Sequence, residues 1–193
     1  MDTRSLYQSK LTTAAEAAAA IPSGSKLSMG MAMTEPPLLL AALAERATAG
    51  GLSDLKVYYA ESTPIAGNTI LRYELTDRIL PYCMFVGPVE RALIQRSTKD
   101  GRKVVQYVPN NFDQVPRLLI DEIGIDSFVV TVSPMDEYGY FSFGTGNDYS
   151  TKLARSAKRL IVEVNENMPH VNGDGAELHV SEVDAIVETT CRC

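Results

Sequence analysis

Residues 128–132 (FVVTV) are followed at once by residues 133–147 (SPMDEYGYFSFGTGN). The first five form the most apolar run in the chain and predict a buried strand. A segment with helical character begins near Asp148. A strand, a glycine-bearing turn and a helix in this order expose backbone N–H groups to anionic ligands in open α/β sheets. This stretch therefore predicts both a parallel sheet and a place where a ligand binds.

Outside this stretch, apolar runs alternate with helical segments. Further strands are predicted at 26–31, 55–60, 80–86, 103–107, 160–164 and within the short apolar run 185–187. Helices are predicted from the capping box of Thr13 and Glu16 to about Ile21, and at 38–47, 88–96, 113–123 and 150–158. Residues 62–68 are expected to form a loop. This alternation of strands and helices predicts an α/β fold with a mainly parallel open sheet and helices on both faces, in one domain covering residues 1–193.

Composition narrows the class of protein. The chain has 193 residues and a net charge of −6, and it carries no concentrated basic patch, so nucleic acid is not an expected partner. No apolar run reaches the length of a membrane span, and the polar first residues do not resemble a secretory signal. Three cysteines without a signal sequence predict reduced thiols and a cytoplasmic location.

The turn at Gly144-Thr145-Gly146 has two interpretations. It can form a nest of backbone N–H groups that holds a phosphate or carboxylate. It can equally be a tight turn that needs glycine for a positive φ. Neither a P-loop nor a complete dinucleotide-binding fingerprint is present in the sequence.

Three carboxylates follow or end predicted strands: Glu35, Glu61 and Glu163. Each is a candidate general base, although solvated carboxylates are common in loops. His170 and His179 flank a glycine-bearing segment that favours a turn over a metal site. The pair Cys191 and Cys193 has no nearby base or further ligands, so we expect a chain end without chemistry. A metal site is therefore not expected from these residues.

Several motifs together resemble the acetyl-CoA hydrolase/CoA-transferase family, and its 4-hydroxybutyrate CoA-transferase branch in particular. They are Ser133-Pro134-x-Asp136-x-x-Gly139-Tyr140-x-Ser142-x-Gly144, Glu163-Val164-Asn165-x-x-Met168-Pro169, Val183-Asp184-x-Ile186-Val187-Glu188, Ile21-Pro22-Ser23-Gly24, Gly30 and Pro36-Pro37. The motifs occur in the family's order over nearly the whole chain, which makes their combination far more specific than any one of them.

The resemblance implies an enzyme of two α/β halves that moves coenzyme A, as a substrate, between short carboxylic acids. In that family a glutamate attacks the acyl-CoA thioester, and an anhydride and then a glutamyl-CoA thioester follow, so the resemblance implies that no metal and no organic cofactor is needed. The nucleophile lies in the second half, so no catalytic role is transferred to Glu35, Glu61 or Glu163. The resemblance assigns a substrate-binding rim to eight residues: Gly30, Pro36, Pro134, Gly139, Ser142, Gly144, Asn165 and Pro169.

Three hypotheses follow from the sequence. The chain is the N-terminal half or a subunit of an acyl-CoA:carboxylate CoA-transferase, which needs a complementary half and forms a homo-oligomer. Alternatively, it is a binding or assembly module that kept the fold without the chemistry. A free-standing acyl-CoA hydrolase that uses Glu35 or Glu61 is the third hypothesis.

Overall fold

A computed structural model describes residues 2–190, so Cys191 and Cys193 and the expectation for them lie outside the described residues. Its main sheet has seven strands in the order β4-β3-β2-β1-β5-β7-β9, and every neighbouring pair is parallel. The strand bounds are β1 Lys26–Met29, β2 Leu55–Tyr59, β3 Ile79–Cys83, β4 Gln106–Tyr107, β5 Ser127–Val132, β6 Tyr140–Ser142, β7 Arg159–Asn165, β8 Glu177–His179 and β9 Ala185–Thr189.

The sheet reverses its direction of growth next to β1. Strands β2, β3 and β4 extend from one side of β1, while β5, β7 and β9 extend from the other. In open α/β sheets, such a switch point leaves a crevice beyond the carboxyl ends of the two central strands. The loops that follow β1 and β5 therefore lie where a ligand is expected.

Helices cover both faces of the sheet, as the sequence predicts. Their bounds are α1 Thr3–Lys10, α2 Ala14–Ala19, α3 Pro37–Thr48, α4 Pro64–Gly67, α5 Pro88–Lys99, α6 Val115–Arg117 and α7 Ser150–Ala154. Successive side chains of β5 enter different cores: Val129 packs in the cluster that contains the buried residues of α3, and Phe128 and Val130 pack in the cluster with Leu153 of α7. This two-sided burial explains why the strand lacks polar alternation.

Several elements differ from the sequence-based prediction. Helix α1 was not predicted, because it is polar and buries only Tyr7. The supposed loop 62–68 contains the short helix α4, whose N-cap Thr63 accepts a hydrogen bond from Ile65 N. The helix predicted at 113–123 is a 3-10 turn, α6 and then the π-helical segment Leu118–Ile123. Strand 103–107 shortens to β4, and an antiparallel pair of β6 and β8 was also missed.

Lys10, the last residue of helix α1, anchors the helix to residues 180–183. The Lys10 ammonium donates hydrogen bonds to the carbonyls of Val180 and Ser181 at 2.8 and 3.1 Å, and to that of Val183. Tyr7 adds a 2.7 Å hydrogen bond from its hydroxyl to Glu188. Three carbonyls around one ammonium make a tertiary anchor, since a charged donor strengthens each bond.

We expect Lys10→Met to lower the free energy of unfolding by roughly 1.5–3 kcal/mol, because it removes a charged donor and keeps the aliphatic stem. Urea titration with a far-UV circular dichroism signal measures the change. Lys152→Met, at an exposed position on α7, is the matched control and should lie within about 0.5 kcal/mol of wild type. An equal effect of both substitutions would contradict the anchor.

Candidate functional site

The loop after β1 touches the connection between β5 and α7 through Thr34. A Cβ atom built on Gly30 would lie 2.6 Å from Thr34 Oγ1, and one on Gly146 would lie 2.6 Å from Thr34 Cγ2. The Thr34 hydroxyl donates a 2.9 Å hydrogen bond to the carbonyl of Met31. Thr34 is thus held between two glycines, and neither position can carry a side chain without moving it. This contact joins both sides of the switch point.

The structure agrees with the tight-turn interpretation at residues 144–146. Gly144 has a φ of +60°, which favours glycine. Its N–H donates to Ser142 Oγ at 3.0 Å, and the Gly146 N–H donates to the Phe143 carbonyl at 3.3 Å. Both N–H groups are therefore satisfied within the chain, which leaves little of the predicted anion nest in this conformation.

Ser142 organises the turn through its hydroxyl. Besides accepting from Gly144, the Oγ atom accepts from Val171 N at 3.0 Å and donates to the Val171 carbonyl at 2.9 Å. Ser142 N in turn donates to Ser133 Oγ at 2.9 Å. This hydroxyl fastens the end of β6 to the segment after β7, and its predicted contact with substrate stays a prediction.

The other predicted rim residues fall into separate places. Gly144 and Pro169 are neighbours, since a Cβ on Gly144 would lie 3.2 Å from the Pro169 carbonyl and would also overlap the buried Met168 side chain. Gly139, with a φ of +93°, packs on Thr3 of α1. Asn165 ends β7, and its side-chain oxygen accepts from Asn167 N at 3.0 Å.

Pro36 and Pro134 complete the predicted rim. Pro36 is buried and serves as the N-cap residue of α3. Pro134 is exposed and borders a groove of about 860 Å³ between α1 and the ends of β7 and β9. The eight predicted residues thus lie along the carboxyl edge and in its flanking loops without converging on a single cavity.

Glu163 is a buried carboxylate in the middle of β7, with 0% of its surface exposed. Its two oxygens accept hydrogen bonds from Leu38 N at 3.2 Å and Leu39 N at 3.0 Å. These are first-turn N–H groups of α3, so Glu163 caps that helix from the face of the sheet on which α3 packs. Burial raises its pKa from 4.5 to about 7, while the two backbone donors oppose the rise.

Glu35 is 1% exposed and connects two loops. Its carboxylate accepts from Thr63 N at 2.8 Å, Thr63 Oγ1 at 2.6 Å and Ala66 N at 3.0 Å. Burial raises the pKa of Glu35 to about 7 against the effect of these donors. The same side chain therefore holds the loop after β1 against the start of α4.

The sequence analysis missed Glu90, a third buried carboxylate. It accepts from the Tyr59 hydroxyl at 3.0 Å, from Ser62 Oγ and from Gly87 N at 2.9 Å. The pattern Gly87-Pro88-x-Glu90 carries the signal, because it places a glutamate at the third position of a helix that begins with proline. Glu61, in contrast, is exposed directly after β2.

The remaining candidates do not form a metal or thiol site. Within residues 2–190, no group of three or more His, Cys, Asp or Glu side chains could hold a metal ion. His170 lies 3.9 Å from Glu177, and His179 contacts Ser181. Cys83 is buried, and burial raises the pKa of its thiol to about 12. None of the helices in the described segment is long and apolar enough to cross a membrane.

A parallel sheet that reverses beside β1, with glycine-dependent loops at its carboxyl edge, defines an open α/β domain, a class in which ligands bind beyond the carboxyl ends of the strands. Comparison with known proteins gives the family. Residues 1–191 match the acetyl-CoA hydrolase/transferase N-terminal domain, and the chain belongs to this family.

Two curated relatives and one solved structure are especially similar. Succinyl-CoA:cyclohexane-1-carboxylate CoA transferase of Geobacter metallireducens is 32% identical over 94% of this chain and 39% of its own length. 4-hydroxybutyrate coenzyme A transferase of Clostridium kluyveri is 31% identical over 98% of this chain and 42% of its own. The crystal structure of RipA from Yersinia pestis has 65% identity and a TM-score of 0.97 over 98% of this chain and 43% of RipA.

These matches confirm the family resemblance and the α/β fold expected from the sequence. The chain spans about two fifths of the length of the relatives it matches. The activities named for the relatives are activities of chains more than twice as long.

The raised pKa of Glu163 predicts a pH-dependent stability. The folded chain holds this proton more tightly than the unfolded chain does. The protonated carboxyl group therefore adds its full contribution to the free energy of unfolding below about pH 4.5, and this contribution is lost as the pH rises to about 7. Glu163→Gln should reduce this loss by on the order of 1–3 kcal/mol. Urea titrations between pH 4.5 and 7.5 measure it, with the exposed Glu45→Gln as a charge control on α3. An unchanged slope would contradict the assignment.

Gly144→Ala should lower the free energy of unfolding by more than the usual cost of replacing a glycine that has a positive φ. Its Cβ would overlap the buried Met168 and stand 3.2 Å from a backbone carbonyl, so we expect a cost of roughly 2–3 kcal/mol. The control is Gly50→Ala, where φ is +83° and nothing lies within 4 Å of the added atom. That change should cost about 1 kcal/mol. Thermal unfolding compares the two variants, and equal costs would rule out a packing role for Gly144.

Proposed function

We propose that this chain is the N-terminal domain or subunit of an acyl-CoA:carboxylate CoA-transferase, acting as one α/β domain in the cytoplasm. It supplies one wall of the active site, and the complementary half supplies the nucleophilic glutamate that forms the glutamyl-CoA intermediate. The observation that carries the proposal is the family match over residues 1–191, joined to a carboxyl edge without a suitable nucleophile among the described carboxylates considered above.

The state of the carboxylates supports this division of labour. Glu35 and Glu163 are almost fully buried, and both oxygens of each accept hydrogen bonds from the chain. A nucleophile must reach the thioester carbon with a free oxygen, which neither side chain can do without leaving its partners. Glu61 is exposed, and exposure is the one feature that suggests it as a nucleophile.

Exposed apolar side chains support a partner surface. Phe85, Tyr107 and Phe112 are each 55–57% exposed and lie at or just beyond the carboxyl ends of β3 and β4. Large apolar side chains grouped at one edge of a domain are typical of an interface. We therefore expect a complementary half or a second copy on this edge, and sedimentation velocity at micromolar concentration to detect self-association.

The decisive experiment joins residues 1–190 to the C-terminal portion of RipA, whose N-terminal part is 65% identical to this chain. The chimera should transfer CoA from butyryl-CoA to acetate at least roughly a hundredfold faster than the isolated chain, because the nucleophile is restored. Chromatography of the acyl-CoA products measures the rate. The C-terminal portion alone is the control, and the butyryl-CoA:acetate CoA-transferase of Anaerostipes caccae, a further relative of this chain, is the positive control for the assay.

Two other outcomes support different functions. Turnover by the isolated chain at the chimera's rate, lost in Glu61→Gln, would make it a hydrolase or a self-sufficient transferase. An inactive chimera that still binds CoA or acyl-CoA by calorimetry would favour a binding module of the same fold.

A further inference from the structure

The groove of about 860 Å³ between α1 and the carboxyl ends of β7 and β9 does not end at those strands. A second depression, of about 510 Å³, continues from it along β9 and the segment that joins α1 to α2, and the two share Leu38 and Glu188 in their lining. We call the two together the α1 groove. A small molecule is usually enclosed in one compact cleft. The length of the α1 groove fits an extended segment of polypeptide instead.

The lining of the α1 groove mixes apolar and polar side chains. Leu38, Met135 and Val164 supply apolar surface, and Leu38 is 37% exposed although it lies in the first turn of α3. Gln8 and Thr190 add uncharged polar groups. Interfaces between domains of one protein have this mixed character, whereas pockets for small molecules are lined mainly by apolar side chains.

The charges along the α1 groove are unbalanced. It carries the carboxylates of Glu16, Glu166 and Glu188 and one guanidinium, that of Arg4. Among the residues that the structure describes, none of these four side chains takes part in a salt bridge. The Tyr7 hydroxyl donates a 2.7 Å hydrogen bond to Glu188 and fixes that carboxylate. A partner that brings a Lys or Arg side chain would complement this excess of negative charge.

The end of β9 lies in the α1 groove. Thr189 is the last residue of the strand, Thr190 follows it, and both line the groove. The family match ends at residue 191, and the relatives are more than twice as long as the part that matches. In a protein of that length, the polypeptide that follows the matched domain therefore starts beside this groove.

We propose that the α1 groove is a docking surface for the complementary half of the enzyme. The occupant is an extended segment of that half, with apolar side chains that cover Leu38 and Val164 and a Lys or Arg that faces Glu166 and Glu188. The proposal rests on the proposed function for the existence of the second half. The groove borders β9, at the opposite end of the strand order from the aromatic edge beside β3 and β4.

Hydrogen–deuterium exchange compares the RipA chimera with the isolated chain and tests the docking without any assay of activity. In the chimera, amides of residues 3–10 and 164–171 should exchange at least roughly tenfold more slowly, because the second half covers them and opposes their local opening. Residues 93–99 of α5 are the internal control and should exchange at the same rate in both proteins. Equal exchange at residues 3–10 and 164–171 in the two proteins overturns the proposal.

A charge reversal tests the chemistry of the occupant. Glu166→Lys in the chimera should speed the exchange of residues 3–10 by about tenfold, because a cation on the docking segment is then repelled. Glu122→Lys makes the same change at an exposed position of the π-helical segment before β5 and is the matched control. An equal effect of the two substitutions would show that the groove does not select a basic segment.

The same samples separate this inference from the proposed function. A chimera that transfers CoA but leaves the α1 groove unprotected refutes the docking surface and leaves the transferase standing. An inactive chimera with a protected groove refutes the transferase and supports the docking. Protection in the isolated chain that grows with its concentration would assign the groove to a second copy, and protection by added coenzyme A alone would assign it to a substrate. Either of these two results overturns the proposal.

Discussion

The carboxyl edge of the sheet depends on burying carboxylates without a cationic partner. Glu163 replaces a conventional N-cap at α3, where Pro36 has no side chain that can accept a hydrogen bond, and it does so from a residue 125 positions away. Its two oxygens satisfy N–H groups that would otherwise be unpaired in the interior. The desolvation of the carboxylate opposes this gain and raises its pKa. The result is a helix fixed to the central sheet at the edge that carries the proposed site.

Glu35 and Glu90 repeat the same arrangement on the other side of the switch point. Glu35 holds the loop after β1 to the start of α4, and Glu90 holds Tyr59 and Ser62 to the start of α5. The oxygens of each carboxylate accept hydrogen bonds that position neighbouring segments of the chain. An edge at which Glu35, Glu90 and Glu163 serve as structural acceptors is a preorganised wall, which is consistent with the proposed function.

Much of the fold could be predicted from the sequence. Apolar runs located every strand of the parallel sheet, with errors of one to several residues at the ends, and the capping box at Thr13 and Glu16 is present as expected. Polar or irregular elements escaped prediction. Helix α1 gains its stability from Lys10 and Tyr7 contacting residues 180–188, which local periodicity cannot indicate. Residues 140–142 and 177–179 are too short to stand out until they pair as β6 and β8.

The sequence alone determined the α/β class, the parallel sheet and the family. Buried strands, proline and glycine positions and ordered motifs can each be recognised from residues that are close together in the sequence. Tertiary structure decided what the conspicuous residues do. Gly146 serves a close approach to Thr34, Ser142 holds two loops together, and Glu163 caps a helix. These roles arise from contacts between residues 29 to 125 positions apart, which only folding brings together. The α1 groove likewise exists only when α1 packs beside the ends of β7 and β9.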